Sequence, residues 1–557
     1  MFLRGYNILN AMARAEALPA PAATGAAKER ALSAAQLAMN RDLPGMALSQ
    51  RLADPAAYHR LQRGRRQALE ALIPVEPDGP MLERAVDLIC MIAEEATWSE
   101  NAKGAPFDDD QHPQIDFQCA ETLALLAWTQ RALGEKLGSR VSGKLQYEAR
   151  RRVFSPFLAH ADYPFMRFVG PGAAQARRPL CVLGDILLGA ALLESDAGRR
   201  SAIFKQALRL IDQAAQAREN QVVPLADELA ETAAITDLCL LLRKLTRGEL
   251  DLTGVYPTSD WLDGLRFPWL EGDCFADPAT GDLRPALSGQ ELFRVGLASG
   301  DEALTALGAA LHRANPRPSA TVTGRLLDLS CAAMLAAAPE DKPPRLKHAA
   351  TAHNRVMLSR FGGMTCAMHT GGGRANAGAL LLFAGGKPVL VEASGHASLP
   401  LIGGLGQLAV PGESDPEVAF GGEPCPADFT VQQDREQMSV DLTRAWPART
   451  EARSVQRTAM ALRGQGVLRL VDAFDLEKPA PIVFRFVTPQ QPRRLEGGVR
   501  LGPVDMAWEG ELMCDISPLD ARFPAGSAGG DPLYRVSLTT PEPVSRGFFA
   551  FNFAPAQ

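Results

Sequence analysis

The chain has 557 residues, of which 46% are hydrophobic and 22% are charged, and its formal net charge is −6. This length exceeds the size at which one hydrophobic core stops growing, so two domains are expected. The weak negative charge excludes the broad basic surface typical of nucleic-acid-binding proteins and a polybasic membrane tether, so a site for a polyanion must be a local basic pocket.

The first 337 residues carry helical patterning. An apolar stripe at helical spacing predicts a helix over 81–97, and a second helix is predicted from Asp116 to Leu133, with Gly134 as its stop. Further helices are predicted at 140–157, 181–194, 201–218, 226–247 (with Gly248 as stop), 301–313 and 321–337. Many helices joined by short polar loops, with no interleaved strands, indicate a stacked or toroidal α-domain.

Beyond a proline-rich linker at 338–344, the hydrophobic period shortens to two. Strands predicted at 379–383 and 388–393 flank Gly385 and Gly386, which supply the positive φ values of a tight hairpin. Other strands are predicted at 467–474, 481–488, 533–539 and 548–553. Strands at this spacing without helical crossovers indicate an antiparallel sandwich.

These patterns predict an α+β multidomain chain. Its expected parts are an N-terminal extension with the first helices (1–60), an (α/α) toroid domain (61–338) and an antiparallel β-sandwich domain (345–557).

Nine widely spaced cysteines with no C-x-x-C pair predict buried free thiols, which suit a reducing compartment. Residues 1–10 lack the continuous apolar region of a secretory signal, and no apolar run is long enough to cross a bilayer. We therefore expect a cytoplasmic protein.

Four stretches, in their order along the chain, carry a family resemblance. Residues 95–98 read E-A-T-W, 115–122 read I-D-F-Q-C-A-E-T, 151–158 read R-R-V-F-S-P-F-L and 386–393 read G-K-P-V-L-V-E-A. They resemble the signatures E-x-T-W, I-D-L-F-A-A-E-T, R-R-x-F-x-P-[YF]-L and G-K-P-V-L-I-D-A of the heparinase II/III-like polysaccharide lyases of bacteria. The resemblance extends over nearly the whole chain from about residue 60. It implies a helical toroid followed by a β-sandwich, and cleavage of uronic-acid polymers by β-elimination.

β-Elimination sets clear requirements on a site. Removing the proton beside the uronate carboxylate creates a dianionic enolate, so amide or cationic donors must neutralise that carboxylate. A base, usually Tyr or His in this family, takes the proton, and an acid serves the leaving glycosidic oxygen. Here, most positions to which the resemblance assigns these groups hold other residues.

Several of the replacements are cationic. Lys103 stands where the family motif W-x-x-P-A-H ends in His, and Arg374 replaces the second His of S-H-N-H-N-D-V-G. The family's N-N-W-N run, which would neutralise the carboxylate, is replaced by the run from Gln175 to Arg178. Each replacement could also be a solvated loop charge or a turn brace. The substrate-binding candidates are Lys103, Gln175, Arg177, Arg178, Arg374, Asn376 and His396. Repeated replacement by cations favours a site that holds an anion without deprotonating it.

The candidates for the base are Tyr163 and His369. The stretch that should carry the catalytic tyrosine, 225–231, contains none, whereas Tyr163, with His160 close by in sequence, follows a stretch that the resemblance assigns to the cleft. No metal is expected, since the residues considered as ligands, Glu392 and His396, make a poor zinc set. No other cofactor is expected.

Two functions stay open. The first is a lyase with an altered catalytic set, and the alternative is a catalytically inactive relative that binds an anionic glycan or a protein partner through a basic cleft. A purely structural role and glycoside hydrolysis by Asp227–Glu228 or Asp108–Asp110 are further alternatives. The expected partner is an anionic polysaccharide or oligosaccharide, with no nucleic acid and no membrane, and a homodimer is left open.

Overall fold

The computed structural model describes residues 20–21, 23, 25–100, 112–168, 178–218, 223–340, 343–351, 355–371, 376–393, 396–407, 425–523 and 530–556. The chain divides into two compact units. Unit 1 comprises Met1–Gln221, Leu229–Thr258 and Ser288–Pro343, and unit 2 comprises Val222–Glu228, Ser259–Leu287 and Pro344–Gln557.

Unit 1 is built from helices. In chain order the helices are α1 (Gly25–Asn40), α2 (Leu48–Ala53), α3 (Pro55–Leu72), α4 (Pro80–Ala93), α5 (Phe117–Ala149), α6 (Ser155–Ala159), α7 (Pro179–Leu193), α8 (Ala197–Arg218), α9 (Leu225–Leu245), α10 (Ser259–Arg266), α11 (Gly289–Ser299), α12 (Glu302–Ala314) and α13 (Val322–Ala336). Helix α10 and the start of α9 belong to unit 2. A π-helical turn, Arg150–Phe154, joins α5 to α6.

The two predicted glycine stops have different outcomes. Gly248 is confirmed: it has φ +84 and donates its N–H to the Arg243 carbonyl at 2.7 Å, three residues beyond the end of α9. The stop at Gly134 is wrong, because α5 continues past it to Ala149 and leaves helical geometry only at Gly138. Gly138 has φ +71 and ψ 165, a backbone conformation that glycine adopts without steric cost.

Helices α5 and α13, far apart in sequence, are joined by buried polar contacts. Both carboxylate oxygens of Glu121 accept the Val322 N–H, at 3.0 and 2.9 Å, at the first residue of α13. Two turns further along α5, the Trp128 indole donates to the hydroxyl of Thr323, the second residue of α13, at 3.2 Å. These contacts fix the first half of α5 to the start of α13.

Unit 2 contains antiparallel sheets. Its strands are β1 (Trp269–Glu271), β2 (Cys274–Phe275), β3 (His348–Ala350), β4 (Val356–Phe361), β5 (Met364–His369), β6 (Leu380–Ala384), β7 (Lys387–Leu390), β8 (Pro400–Ile402), β9 (Ala427–Val431), β10 (Arg435–Asp441), β11 (Ala452–Leu462), β12 (Val467–Ala480), β13 (Ile482–Thr488), β14 (Arg493–Leu495), β15 (Gly498–Leu501), β16 (Val504–Trp508), β17 (Met513–Phe523), β18 (Asp531–Thr539) and β19 (Val544–Pro555). The sheet orders are β14-β15-β16-β19-β12-β11-β10-β9, β17-β18-β13-β8, β3-β4-β5-β6-β7 and β1-β2.

The central strands of the five-stranded sheet are buried on both faces. Along β6, Leu380 and Leu382 enter the main core of unit 2, whereas Leu381 and Phe383 enter a second cluster that includes Leu270 from β1. Because alternate residues point to opposite faces, two covered faces produce a continuous apolar run. The predicted hairpin is confirmed: β6 and β7 pair across Gly385 and Gly386, which have φ +55 and +77.

The short strands β1 and β2 interrupt the helical half of the sequence, where no strand was predicted. They pair with each other, and Leu270 and Cys274 pack in the second cluster of unit 2. Otherwise the predicted sequence of helices followed by antiparallel strands is confirmed.

The nine cysteines are free thiols, as predicted, and six are buried. None of the helices in the described residues combines the length and the apolar character that a bilayer crossing requires.

A buried ion pair joins two neighbouring strands of unit 2. Arg457 on β11, 1% exposed, forms two hydrogen bonds of 2.7 Å with the carboxylate of Asp472 on β12. Its remaining nitrogen donates to the carbonyls of Gly378 and Ser398, at 2.9 and 2.6 Å. One guanidinium therefore ties two adjacent strands to two loops of the five-stranded sheet region.

We predict that Arg457→Met lowers the free energy of unfolding by about 3–5 kcal/mol, because the Asp472 charge is left buried and unpaired. Chemical denaturation followed by circular dichroism measures the change. The matched control is Arg500→Met, which breaks a two-bond pair with Asp505 at the surface and should leave the midpoint nearly unchanged. Equal effects of the two substitutions would contradict the assignment.

Candidate functional site

The start of α5 is held rigidly by its N-cap, Asp116. One carboxylate oxygen accepts the Cys119 N–H at 2.9 Å, and the other accepts the Ser99 hydroxyl at 2.7 Å and the Glu100 N–H at 2.8 Å. The cap thus satisfies a free helix N–H and fixes the 99–100 loop against the helix. Ile115, just before it, is 2% exposed.

Four side chains meet beside this helix start, and we call them the 112–163 group: His112, His160, Asp162 and Tyr163. His112 Nε2 lies 3.0 Å from Asp162 Oδ1. The ring centroids of His112 and His160 are 4.2 Å apart, and the Tyr163 ring centroid lies 5.1 Å from His112 and 6.2 Å from His160. All four belong to unit 1.

The backbone geometry after α6 brings these side chains together. The helix ends at Ala159, and His160 takes an extended conformation that turns the chain toward the start of α5. The Tyr163 hydroxyl donates to the Pro113 carbonyl at 2.8 Å, and the ring stacks on Phe165, which stacks on Phe157. Tyr163 is 1% exposed, so the aromatic stack anchors one side of the group.

The other side of the group is open. The side chains of His112 and Asp162 are 30% and 63% exposed, and His160 is half-buried. The hydrogen bond from His112 lowers the pKa of Asp162, which keeps this carboxylate ionised. The group therefore offers imidazoles, a carboxylate and a phenol on a partly solvated surface.

Arg178 lies near the same helix start. It takes the left-handed conformation, φ +50, at the N-cap of α7, and its guanidinium lies over the Phe117 ring, 5.5 Å from the centroid. A cation is therefore held at the first residue of α5, next to the capping Asp116.

The other sequence candidates have separate outcomes. Lys103, Gln175, Arg177, Arg374 and Asp108–Asp110 lie outside the described residues and stay predictions. Asp227 and Glu228 lie in the first turn of α9, where carboxylates suit the positive end of a helix.

His369 lies at the end of β5 and is fully buried. Its backbone N–H donates to the Ala379 carbonyl at 3.1 Å, and its own carbonyl accepts the Gly378 N–H at 2.7 Å. Neither ring nitrogen has a hydrogen-bond partner within the described part of the chain. Burial lowers the pKa of His369 to about 4, so the ring is neutral and shielded from solvent.

Asn376 and Glu392 form a second buried polar pair in unit 2. The Asn376 amide donates to one carboxylate oxygen of Glu392, and the other oxygen has no partner in the described chain. Burial raises the pKa of Glu392 to about 8. His396, whose backbone pairs with Ala393, stands beyond this pair. Neither Glu392 nor His396 belongs to a set of metal-ligand atoms that converge in the described residues.

The sequence did not identify His112 and Asp162 as candidate site residues. Both lie in short polar loops, in the stretches D-D-Q-H-P and A-H-A-D-Y, where isolated His and Asp residues are usually solvated. The available signal was the pairing of His160 and Asp162 directly after the 151–158 stretch. The partner, His112, is 48 residues earlier, and only the fold brings it close.

Comparisons with known proteins show which solved structures have a similar fold. No protein-family model matches the sequence, and no curated protein matches it. Among solved structures, the chain is similar to the chondroitin AC lyase of Streptomyces coelicolor in complex with chondroitin sulphate, with TM-score 0.60, 12% identity and coverage of 99% of this chain and 82% of that one. A Tyr-to-Ala mutant of that lyase gives TM-score 0.59, 13% identity and coverage of 99% and 83%. A heparinase III structure gives TM-score 0.51, 12% identity and coverage of 89% and 76%.

These likenesses confirm the fold that the sequence predicted. The chain has a polysaccharide-lyase-like fold, an α-helical toroid followed by an antiparallel β-sandwich.

The buried Glu392 carboxyl generates a pH prediction. Its pKa rises from an ordinary value of 4.5 to about 8 on folding, so between these values the folded state holds more protons than the unfolded state. The free energy of unfolding should therefore fall as pH rises from about 4.5 to 8, by roughly 3–5 kcal/mol from this group.

Glu392→Gln keeps the shape and removes the titration. Denaturation of both proteins between pH 5 and 8 should show the wild type losing stability relative to the variant. A difference that stays constant with pH would mean that Glu392 is ionised in the folded chain.

Proposed function

We propose that this protein acts on uronic-acid-containing anionic glycans and cleaves them by β-elimination at the 112–163 group. The observation that carries the proposal is the convergence of three segments that adjoin stretches resembling lyase signatures. His112 precedes the 115–122 stretch, His160 to Tyr163 follow the 151–158 stretch, and Arg178 ends the run that replaces N-N-W-N. These segments meet at the start of α5.

The proposed chemistry assigns proton abstraction to Tyr163. The phenolate takes the proton beside the uronate carboxylate, the electron pair forms a carbon–carbon double bond, and the glycosidic C–O bond breaks. The leaving oxygen then receives this proton from the Tyr163 hydroxyl, which restores the phenolate, and Arg178 neutralises the carboxylate while the charge develops. Tyr163 and His369 are both buried. Tyr163 is preferred as the base because its ring lies 5.1 Å from that of the partly exposed His112.

One requirement follows from the ligand-free geometry. The Tyr163 hydroxyl donates to the Pro113 carbonyl, so it must leave this acceptor before it meets a substrate proton. Catalytic hydrogen bonds often form only in the substrate complex, and the neighbouring loop positions of His160 and Asp162 leave one face of the site open.

A second candidate function is glycan binding without cleavage. It is favoured by the same hydrogen bond, in which the Tyr163 hydroxyl already donates to a backbone carbonyl, and by the burial of His369. In this case Arg178 and the open imidazoles would hold an anionic sugar without deprotonating it.

We predict that the purified full-length protein, incubated with a panel of uronate polymers and oligosaccharides, produces the ultraviolet absorbance of an unsaturated uronate. Tyr163→Phe should reduce the rate at least about 100-fold, because it removes the proton acceptor. The matched control is Tyr147→Phe, on the exposed face of α5, which should retain the wild-type rate.

The outcomes separate the two candidates. A flat trace across the panel, with glycan binding that weakens in Arg178→Gln, would replace the lyase by the binding function. Absence of both cleavage and binding would reject both. Cleavage that survives Tyr163→Phe unchanged would remove Tyr163 from the proposed role.

A further inference from the structure

The 112–163 group has a second property that acid–base chemistry does not require. In the described residues, His112, His160 and Asp162 are the one set of His, Cys, Asp or Glu side chains in which three ligand atoms all lie within 4.8 Å of one another. The set comes from two loops separated in sequence, so neighbouring positions on one helix do not explain it.

The distances fit a small metal ion. Two ligand atoms bound to one Zn²⁺ at about 2.0–2.1 Å lie about 3.3 Å apart at the tetrahedral angle. His112 Nε2 and Asp162 Oδ1 are already 3.0 Å apart. The remaining separations close by small movements of side chains that are partly exposed and therefore free to move.

The donor types also fit. Neutral imidazole and carboxylate are ligands of Zn²⁺ and of the neighbouring divalent transition metals, whereas Ca²⁺ and Mg²⁺ prefer sets made of oxygen alone. Three protein ligands with an open fourth position is the arrangement of zinc sites that bind a further ligand.

The support around the set is suited to a fixed site. Tyr163 packs against both imidazoles, and its own position is set by Pro113 and by the stacked ring of Phe165. One side of the set is therefore braced by buried aromatic rings, and the other side faces solvent, where an ion and its fourth ligand would enter.

We infer that His112, His160 and Asp162 bind one divalent transition metal ion of the Zn²⁺ type, with a coordination position left open. The metal site stands on this geometry alone. That its open position receives a uronate carboxylate rests on the proposed function. With the imidazoles engaged by the ion, Tyr163 is the remaining proton acceptor of the group, and the ion joins Arg178 in neutralising the carboxylate.

The test is metal binding by the full-length chain after chelator treatment and dialysis. Calorimetric titration with Zn²⁺ should show one ion per chain, and titration with Co²⁺ should give the visible absorption of a four- or five-coordinate site. His160→Gln and Asp162→Asn should each weaken binding at least about tenfold. The matched control is His59→Gln, which removes a half-buried histidine of α3 elsewhere in unit 1 and should leave binding unchanged.

Far-ultraviolet circular dichroism of the metal-free proteins separates lost ligands from lost folding. Asp162 is the more exposed position, so Asp162→Asn provides a variant that folds even if His160→Gln does not. Absence of saturable binding at one ion per chain would overturn the site. Binding that both variants leave unchanged would place the ion elsewhere and overturn it equally.

A second readout isolates the glycan role. Adding glucuronate or galacturonate to the Co²⁺-loaded protein should change the visible spectrum, because a carboxylate enters the coordination sphere. An unchanged spectrum in a protein that binds Co²⁺ would reject the carboxylate role and keep the metal site. Failure of the lyase assay alone would remove the proposed function without affecting metal binding.

Discussion

The helical unit depends on a buried carboxylate, that of Glu121, which receives the first N–H of α13 201 residues later in the chain. Its burial raises the pKa of Glu121 to about 7, while Arg325 and the Val322 N–H act in the opposite direction. The neighbouring Asp185 is fully buried, and burial together with the charge of Glu121 raises its pKa well above its usual range. Burial beside Glu121 therefore favours the protonated form of Asp185.

This contact has consequences for the 112–163 group. Helix α5 carries Glu121 in its second turn and the capping Asp116 at its start, so the contact with α13 and the cap act on the same end of the helix. The phenol of Tyr163 is held on that loop through Pro113. The site therefore has one side anchored at the start of α5 and an open side at the short loop after α6.

The residues that carry the sequence resemblance hold the fold. Glu95, 2% exposed, pairs with Arg65 and Arg66, at 3.2 and 2.8 Å. Arg152 pairs with Glu148 at 2.8 Å and donates to backbone carbonyls of the loop at 93–95. Buried charges of this kind are costly to remove singly, because the partner is left unpaired. This explains how a chain can keep the signatures of a fold while the residues expected to perform the chemistry differ.

The sequence by itself determined the order of helices and strands, because the spacing of apolar residues follows the period of each element. It identified Tyr163 and Arg178 as candidates, since both adjoin stretches whose order resembles a known family. It did not determine the placement of Leu270 and Cys274 in a core of unit 2, because two short strands carry too little pattern to be seen. Nor could it give the burial of His369, which depends on the sheet that surrounds it. Only the tertiary structure brought His112 close to His160 and Asp162. Contact between two polar loops 48 residues apart depends on how α5 and α6 pack, and the polarity of the loops does not predict that packing.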